Sequence, residues 1–257
     1  MAVSKTALPG SNPGEPALVI QLSTVVFTYI SKYPLEYNIL MAVKGYEDTI
    51  HWYEENAGSY VEKSKKNSEN DKVQLAEFIS LLPVNAKVLD AGCGGGRDTN
   101  RLQERGIETV GLDITHNLIQ EAKKNFPQCN FVEGDILQLP FDNESFQGVW
   151  AHASLVHFDQ DEQISKAINE FSRVLKKDGI LHILVRAQKG EKKEVKSDSI
   201  SQHERFYRNF TQDEIREFVE NSGFEVTNIR QYDESKLDPN KRPGEGIEWI
   251  LILARKI

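Results

Sequence analysis

The stretch VLDAGCGGGRD, Val88 to Asp98, constrains this chain more than any other, because it sets four glycines and two acidic residues where an apolar segment gives way to a polar one. Lys87 to Asp90 follows the turn residues Pro83 and Asn85 and reads as a short buried strand, while Thr99 to Arg105 reads as a helix. Gly92 to Gly96 must then turn the chain from one into the other. Glycines at such a turn permit positive φ and let a ligand touch the main chain. In the open α/β sheets that strand and helix alternation builds, ligands lie beyond the carboxyl ends of the strands, beside this first turn.

Two familiar nucleotide loops fail here. A dinucleotide fingerprint, G-x-G-x-x-G, counted from Gly92 meets Gly94 and then Arg97 where the third glycine belongs. The phosphate loop that closes in G-K-[ST] is missing too, since Arg97 and Asp98 follow the glycines. A nucleotide-dependent oxidoreductase is disfavoured by the first mismatch and a nucleoside triphosphatase by the second.

The residues around the turn resemble those of the class I S-adenosylmethionine-dependent methyltransferases, in which an acidic residue ends the first strand and a G-x-G turn follows. Asp90, Gly92 and Gly94 stand at those places. The resemblance continues through Asp113 in TVGLDIT, Asp135 and Ile136 in FVEGDILQLPF, and the strand FQGVWAHASLVHF. It runs from about Tyr46 to Lys256, with a tyrosine-bearing helix, the turn RVLKKDG and a closing strand WILILARK, and is closest to small stand-alone bacterial-type members. It implies a Rossmann-like three-layer αβα sandwich around a mostly parallel seven-stranded sheet with an antiparallel last strand, and S-adenosylmethionine as cofactor.

The chemistry of the side chains fits that cofactor. A carboxylate at Asp113, about 20 residues after the glycine turn, suits two ribose hydroxyls. Asp135 suits an adenine amine, with the Ile136 main chain on a ring nitrogen and Leu112, Ile114 and Ile136 on the adenine faces. Asp90 suits the amino group of the methionine moiety and Arg97 its carboxylate. The resemblance adds Tyr60 on a helix lidding the cofactor and Ala151 at the end of the fourth strand. Asp113 and Asp135 taken singly are equally well read as helix caps or turn acids. Cys93 reads as a small turn residue, not as a nucleophile.

Alternating patterns predict helices over Asp48 to Lys63, Asp71 to Leu82, Thr99 to Arg105, Asn117 to Asn125, Asp161 to Lys176 and Gln212 to Ser222. Strands are predicted near Lys87 to Asp90, Thr109 to Asp113, Asn130 to Glu133, Gln147 to Ala151, Ile180 to Val185, Glu225 to Gln231 and Trp249 to Ala254. Thr211 and Glu214 form a capping box, Gly179 and Gly223 end two helices, and the charged run Lys189 to Lys196 reads as a solvated loop.

Methyl transfer is a direct displacement, so catalysis rests on alignment in a dry pocket and needs no obligatory base. His152 and His157, at and beyond the end of the fourth strand, are the candidate catalytic bases, because histidine titrates near neutral pH. Packing or loop hydrogen bonds are the competing reading for each. Tyr53, Arg205 and Tyr207 are the candidate acceptor contacts, the last two from HERFYRNF, His203 to Phe210. A packed loop accounts for that segment as well.

Length and charge set the class. A chain of 257 residues buries roughly 70 to 75% of its unfolded surface and needs no metal or disulfide to fold. Cys93 and Cys129 lack C-x-x-C spacing, no metal cluster with ligand spacing occurs, and a reducing cytoplasm is expected. A net charge of −8 lacks the basic footprint of a nucleic-acid binder, and Ala17 to Ile30 is too short to span a membrane. Residues 1–45 are expected to be a poorly ordered extension, with Met41 the natural start of a domain over 46–257. The function expected is methyl transfer from S-adenosylmethionine to a small molecule, by a monomer or homodimer. The alternatives are a tRNA-modifying methyltransferase and a non-catalytic S-adenosylmethionine-binding regulatory partner.

Overall fold

The computed structural model describes residues 45–64, 69–197, 204–236 and 246–257. The expected extension, the start at Met41 and His203 lie outside them. Helices are α1 (Tyr46–Ser64), α2 (Glu69–Ser80), α3 (Arg97–Gln103), α4 (His116–Asn125), α5 (Asp161–Val174) and α6 (Gln212–Asn221). Strands are β1 (Lys87–Ala91), β2 (Glu108–Asp113), β3 (Asn130–Glu133), β4 (Phe146–His152), β5 (Leu175–Ala187), β6 (Lys193–Ser197), β7 (Glu204–Phe210), β8 (Phe224–Asp233) and β9 (Glu248–Lys256).

Strands β3, β2, β1, β4 and β5 lie side by side in that order and all pair in parallel. Antiparallel β9 follows on β5 and carries β8 on its other edge. These seven strands are the expected sheet, antiparallel last strand included. The chain leaves β1 for β2 and β3 on one side, then returns to build β4 and β5 on the other, which opens a crevice at the carboxyl ends of β1 and β4.

Period-two alternation divides the core between two helix layers. Leu89, Val149, Leu181 and Ile252 pack with Ile164, Ile168 and Phe171 of α5 and Ile215 and Val219 of α6. Val88, Trp150, Leu184 and Leu251 face the opposite way, onto Leu75 and Phe78 of α2 and Leu102 of α3. Among the described residues no helix is long and apolar enough to cross a membrane.

Two further strands were not expected. The run read as a solvated loop at Lys189 to Lys196 contains β6, which pairs antiparallel with β7, the strand carrying Arg205 and Tyr207. β7 joins the sheet through only two pairs, Arg186↔Asn209 and Ala187↔Phe210, beyond the point where β4 stops at His152↔Leu184. Nine strands therefore stand among the described residues where seven were expected. Helix ends differ as well. α5 stops at Val174 because Leu175 already pairs with Phe146, and Gly179 falls inside β5, with Asp178 taking the positive φ of 61°. Gly223, at φ 84°, does end α6 as expected. Thr211 accepts from the Glu214 N–H at 3.2 Å, but the Glu214 carboxylate goes to Arg208 at 2.6 Å and Lys192 at 2.7 Å, so the capping box is only half made.

Candidate active site

Gly92 is the pivot of the crevice. Its φ is 81°, and a Cβ there would lie 2.5 Å from Ser154 Cβ, so only glycine lets the ends of β1 and β4 meet. Its N–H and that of Cys93 donate to the Leu112 carbonyl at 2.8 and 2.9 Å, tying the turn to β2. Two cavities, each of about 70 Å³, share Gly92.

The first holds Asp113, Ile114, Ile136, Ser154, His157 and Phe158 under Tyr46, Ile50 and Tyr53 of α1. Asp113 ends β2, and its carboxylate accepts the Gly94 N–H at 2.9 Å and the Thr115 N–H at 2.9 Å. Burial raises its pKa while those two N–H groups pull it back. The carboxylate is thus aimed by main chain and keeps lone pairs for a ligand. Asp135 does not join this cavity; its Oδ1 accepts from the Leu137 N–H at 2.8 Å, the turn-acid arrangement. Ala151 is fully buried with the α5-side core and lines neither cavity.

The second cavity is polar, lined by Asp90, Gly94, Gly95, Arg97, Asp98 and His152 under Tyr60 and Ser64 of α1. Asp90 Oδ2 accepts from Thr99 Oγ1 at 2.6 Å; burial first and the Asp98 charge second push its pKa up to about 8. Burial would raise Asp98 too, but Arg97, His152 and Arg101 overcome it and hold Asp98 below the ordinary carboxylate range. Arg97, expected to meet a ligand carboxylate, closes its fork on Asp98 through Nε at 2.9 Å and Nη2 at 3.0 Å, and Nη1 lies 3.4 Å from Asp71.

The two histidines separate. His152 belongs to the polar cavity, stacked on Trp150 with ring centroids 5.2 Å apart and planes 9° from parallel. His157 sits in the first cavity, on a 3₁₀ turn, Leu155–His157, that follows β4. The Phe206 carbonyl of β7 takes the His157 Nδ1–H at 3.0 Å, which leaves Nε2 to accept the Tyr53 hydroxyl at 3.1 Å. Tyr53 in turn accepts from Arg205 Nη1 at 2.6 Å. Burial lowers His157 to about 4 and raises Tyr53 well above the usual phenol value, so both are neutral near pH 7. Arg205 lies 4.3 Å over Trp52 and 5.5 Å from the Tyr207 ring, so the three acceptor candidates come together at α1.

Several participants escaped sequence reading. Tyr46 packs on Phe158 at 4.7 Å, and Asp98 organises the arginines, yet neither carries a signal beyond residue type. Glu54 binds the exposed start of α4, accepting from the His116 N–H at 2.7 Å and the Asn117 N–H at 2.8 Å, where α4 has no side-chain cap of its own.

Comparison with known proteins agrees with this geometry. Residues 89–183 match the family model described as a methyltransferase domain. An uncharacterized methyltransferase of Synechocystis sp. is 38% identical over 108 residues, 42% of this chain and 50% of that protein. The malonyl-[acyl-carrier protein] O-methyltransferase of Enterobacter lignolyticus is 30% identical over 119 residues, 46% of each chain. The chain therefore spans about half the length of these relatives. The crystal structure of the 1,6-didemethyltoxoflavin-N1-methyltransferase of Burkholderia thailandensis, with bound 1,6-didemethyltoxoflavin and S-adenosylhomocysteine, superposes with a TM-score of 0.60 at 22% identity, over 87% of this chain and 90% of that one. Residues 89–183 thus carry the match to a methyltransferase domain, and the fold around them is one that the Burkholderia enzyme shares.

Proposed function

We propose that this protein transfers a methyl group from S-adenosylmethionine to a small-molecule acceptor. The observation that carries the reading is Asp113, a buried carboxylate held by the Gly94 and Thr115 N–H groups in one cavity with Gly92, Ile114 and Ile136. Asp113 would take the ribose hydroxyls, Ile114 and Ile136 the adenine, and the polar cavity beyond Gly92 the methionine end. The residues present fit that molecule: one cavity pairs apolar walls with a single carboxylate, and the other is polar with an unpartnered buried nitrogen, Nδ1 of His152.

When bound, S-adenosylmethionine supplies an electrophilic methyl on a sulfonium. Tyr53 and His157 line the cavity at Gly92 and Ser154, so an acceptor O–H or N–H set against Tyr53 has a route for its proton. The proton passes to the Tyr53 oxygen as the phenol proton passes to His157 Nε2, and the imidazolium keeps its Phe206 carbonyl partner. Arg205 holds the phenol in place throughout. The two relatives and the structural neighbour named above carry methyltransferase names, two of them with small or carrier-borne acceptors, which favours an acceptor of that kind.

Isothermal titration with S-adenosylmethionine, S-adenosylhomocysteine and NAD tests the reading. Micromolar binding of the first two and none of the third is expected, and Asp113→Ala should weaken it by about 1.5 to 3 kcal/mol per lost charge-assisted bond. Binding of NAD, silence towards all three, or unchanged affinity in a folded Asp113→Ala protein would overturn it.

A further inference from the structure

The polar cavity contains an imidazole whose ring nitrogens make no hydrogen bond among the described residues. Among the described residues His152 Nδ1 is buried without a hydrogen-bond partner, and Nε2 lies 4.0 Å from Asp71 Oδ1, beyond hydrogen-bond range. The ring stacks on Trp150 at 5.2 Å and lies parallel to His182 at 5.7 Å. A buried polar atom left unsatisfied is costly and calls for an explanation, and the His152 side chain, 12% exposed, is part of the wall of the polar cavity. Reach to the acceptor side is lacking, because His157, Tyr53 and Arg205 all belong with the other cavity or its α1 wall.

Resting on the cofactor reading above, we propose that His152 is the contact for the α-carboxylate of the cofactor's methionine end, across the cavity from Asp90, which takes the α-ammonium. Arg97 is the obvious rival on charge, but its fork is closed on Asp98, and Asp71 lies beside its remaining nitrogen. Asp98 and Asp71 together balance Arg97 and Arg101, so that quartet offers the ligand little net charge. Asp90 and His152 remain, along with Tyr60 and the buried thiol of Cys93, both of which burial keeps protonated. A zwitterion entering the cavity meets a carboxyl and an imidazole that become its complement by shifting protons: Asp90 gives one up to meet the ammonium, and His152 takes one up between the ligand carboxylate and Asp71. His152 is thereby a binding residue of the cofactor's amino-acid end, not the base for the acceptor.

The test separates the two ends of the cofactor. S-adenosylhomocysteine and 5′-methylthioadenosine, which lacks the amino-acid end, are titrated into wild type, His152→Phe and His152→Asn, with circular dichroism confirming folding. The Phe variant keeps the stack on Trp150 and removes both nitrogens, whereas the amide nitrogen of the Asn variant falls close to Nδ1. Expected is a loss of about tenfold to a hundredfold for S-adenosylhomocysteine in His152→Phe, little change for 5′-methylthioadenosine, and substantial recovery in His152→Asn. The Nδ1 resonance of ¹⁵N-labelled His152 should also move when S-adenosylhomocysteine is added to wild type. An unchanged S-adenosylhomocysteine affinity, an equal loss for both ligands, or a stationary Nδ1 resonance in the saturated protein would overturn the assignment of His152 alone. A wild type that binds neither compound overturns the cofactor reading instead.

Discussion

His157 shows how one side chain can record its surroundings. Burial holds it at about 4, against an ordinary value of 6.5, so the unfolded chain binds a proton there at a pH where the folded chain does not. The stability it contributes is fully present above pH 6.5 and is lost as pH falls through about 4. In His157→Gln, whose amide neither titrates nor needs to, the drop in unfolding free energy between pH 7.5 and 4.5 should shrink by about 2 to 3 kcal/mol, read by urea denaturation at the two pH values. An undiminished acid limb would show that the ring is not buried as neutral imidazole. At this scale the placement of the candidate residues was half legible. Gly92 and Asp113 could be read because their demands are local, a positive φ and a carboxylate at a strand end. Arg97 was misdirected because its partners are Asp98, next to it, and Asp71, which only folding brings near. His152 and His157 looked alike in AHASLVH, but the end of β4 turns through Ala153 at φ 60° and sends them to different cavities.

Among the elements, α1 lines both cavities, and β7 of the β6–β7 hairpin braces it through Arg205 on Tyr53. α1 covers both cavities, and Val61 fills the space at Gly95, where an added Cβ would stand 2.5 Å from Val61 Cγ2. Pockets for drug-sized molecules run to about 300 Å³ or more, so two chambers of about 70 Å³ describe a narrow crevice beneath α1. Glu54 clasps α1 to the start of α4 through two main-chain N–H groups. Glu54→Ala should cost about 1 to 2 kcal/mol, raise hydrogen exchange within α1 and speed S-adenosylhomocysteine release in stopped flow. Unaltered exchange in α1 would leave the clasp without a role. The helices and the seven strands of the main sheet were legible because each buries a stripe or a face with the right period. The hairpin was not, since its strand ERFYRNF buries cations: Arg208 is 0% and Arg205 7% exposed, one paired with Asp161 and Glu214, the other laid on aromatic rings. Its mixture of cations and aromatic rings reads as a packed loop or as acceptor contacts, because buried arginines break the apolar alternation that marks a strand.

For the molecule as a whole, cofactor binding and stability are a single equilibrium. A ligand at about 100 times its dissociation constant adds about 2.7 kcal/mol to a folded protein that alone can bind it. For a domain of this size that corresponds to a rise in Tm of about 5 to 10 °C, expected with S-adenosylhomocysteine and absent with NAD in a thermal melt. An equal shift with NAD would point to a general nucleotide site. The hairpin has a last consequence for the way such a protein diversifies. Because β7 is sewn to β5 by two residue pairs and the seven-stranded order is complete without it, β6 and β7 form an appendage whose exchange would leave the main sheet intact but must replace its contacts to Tyr53, His157, Asp161 and Glu214. Arg205 and Tyr207 stand on that appendage and Asp90, Gly92 and Asp113 on the seven-stranded frame, so on the reading proposed above the residues offered to the acceptor and those offered to the methyl donor belong to separate parts of the sheet.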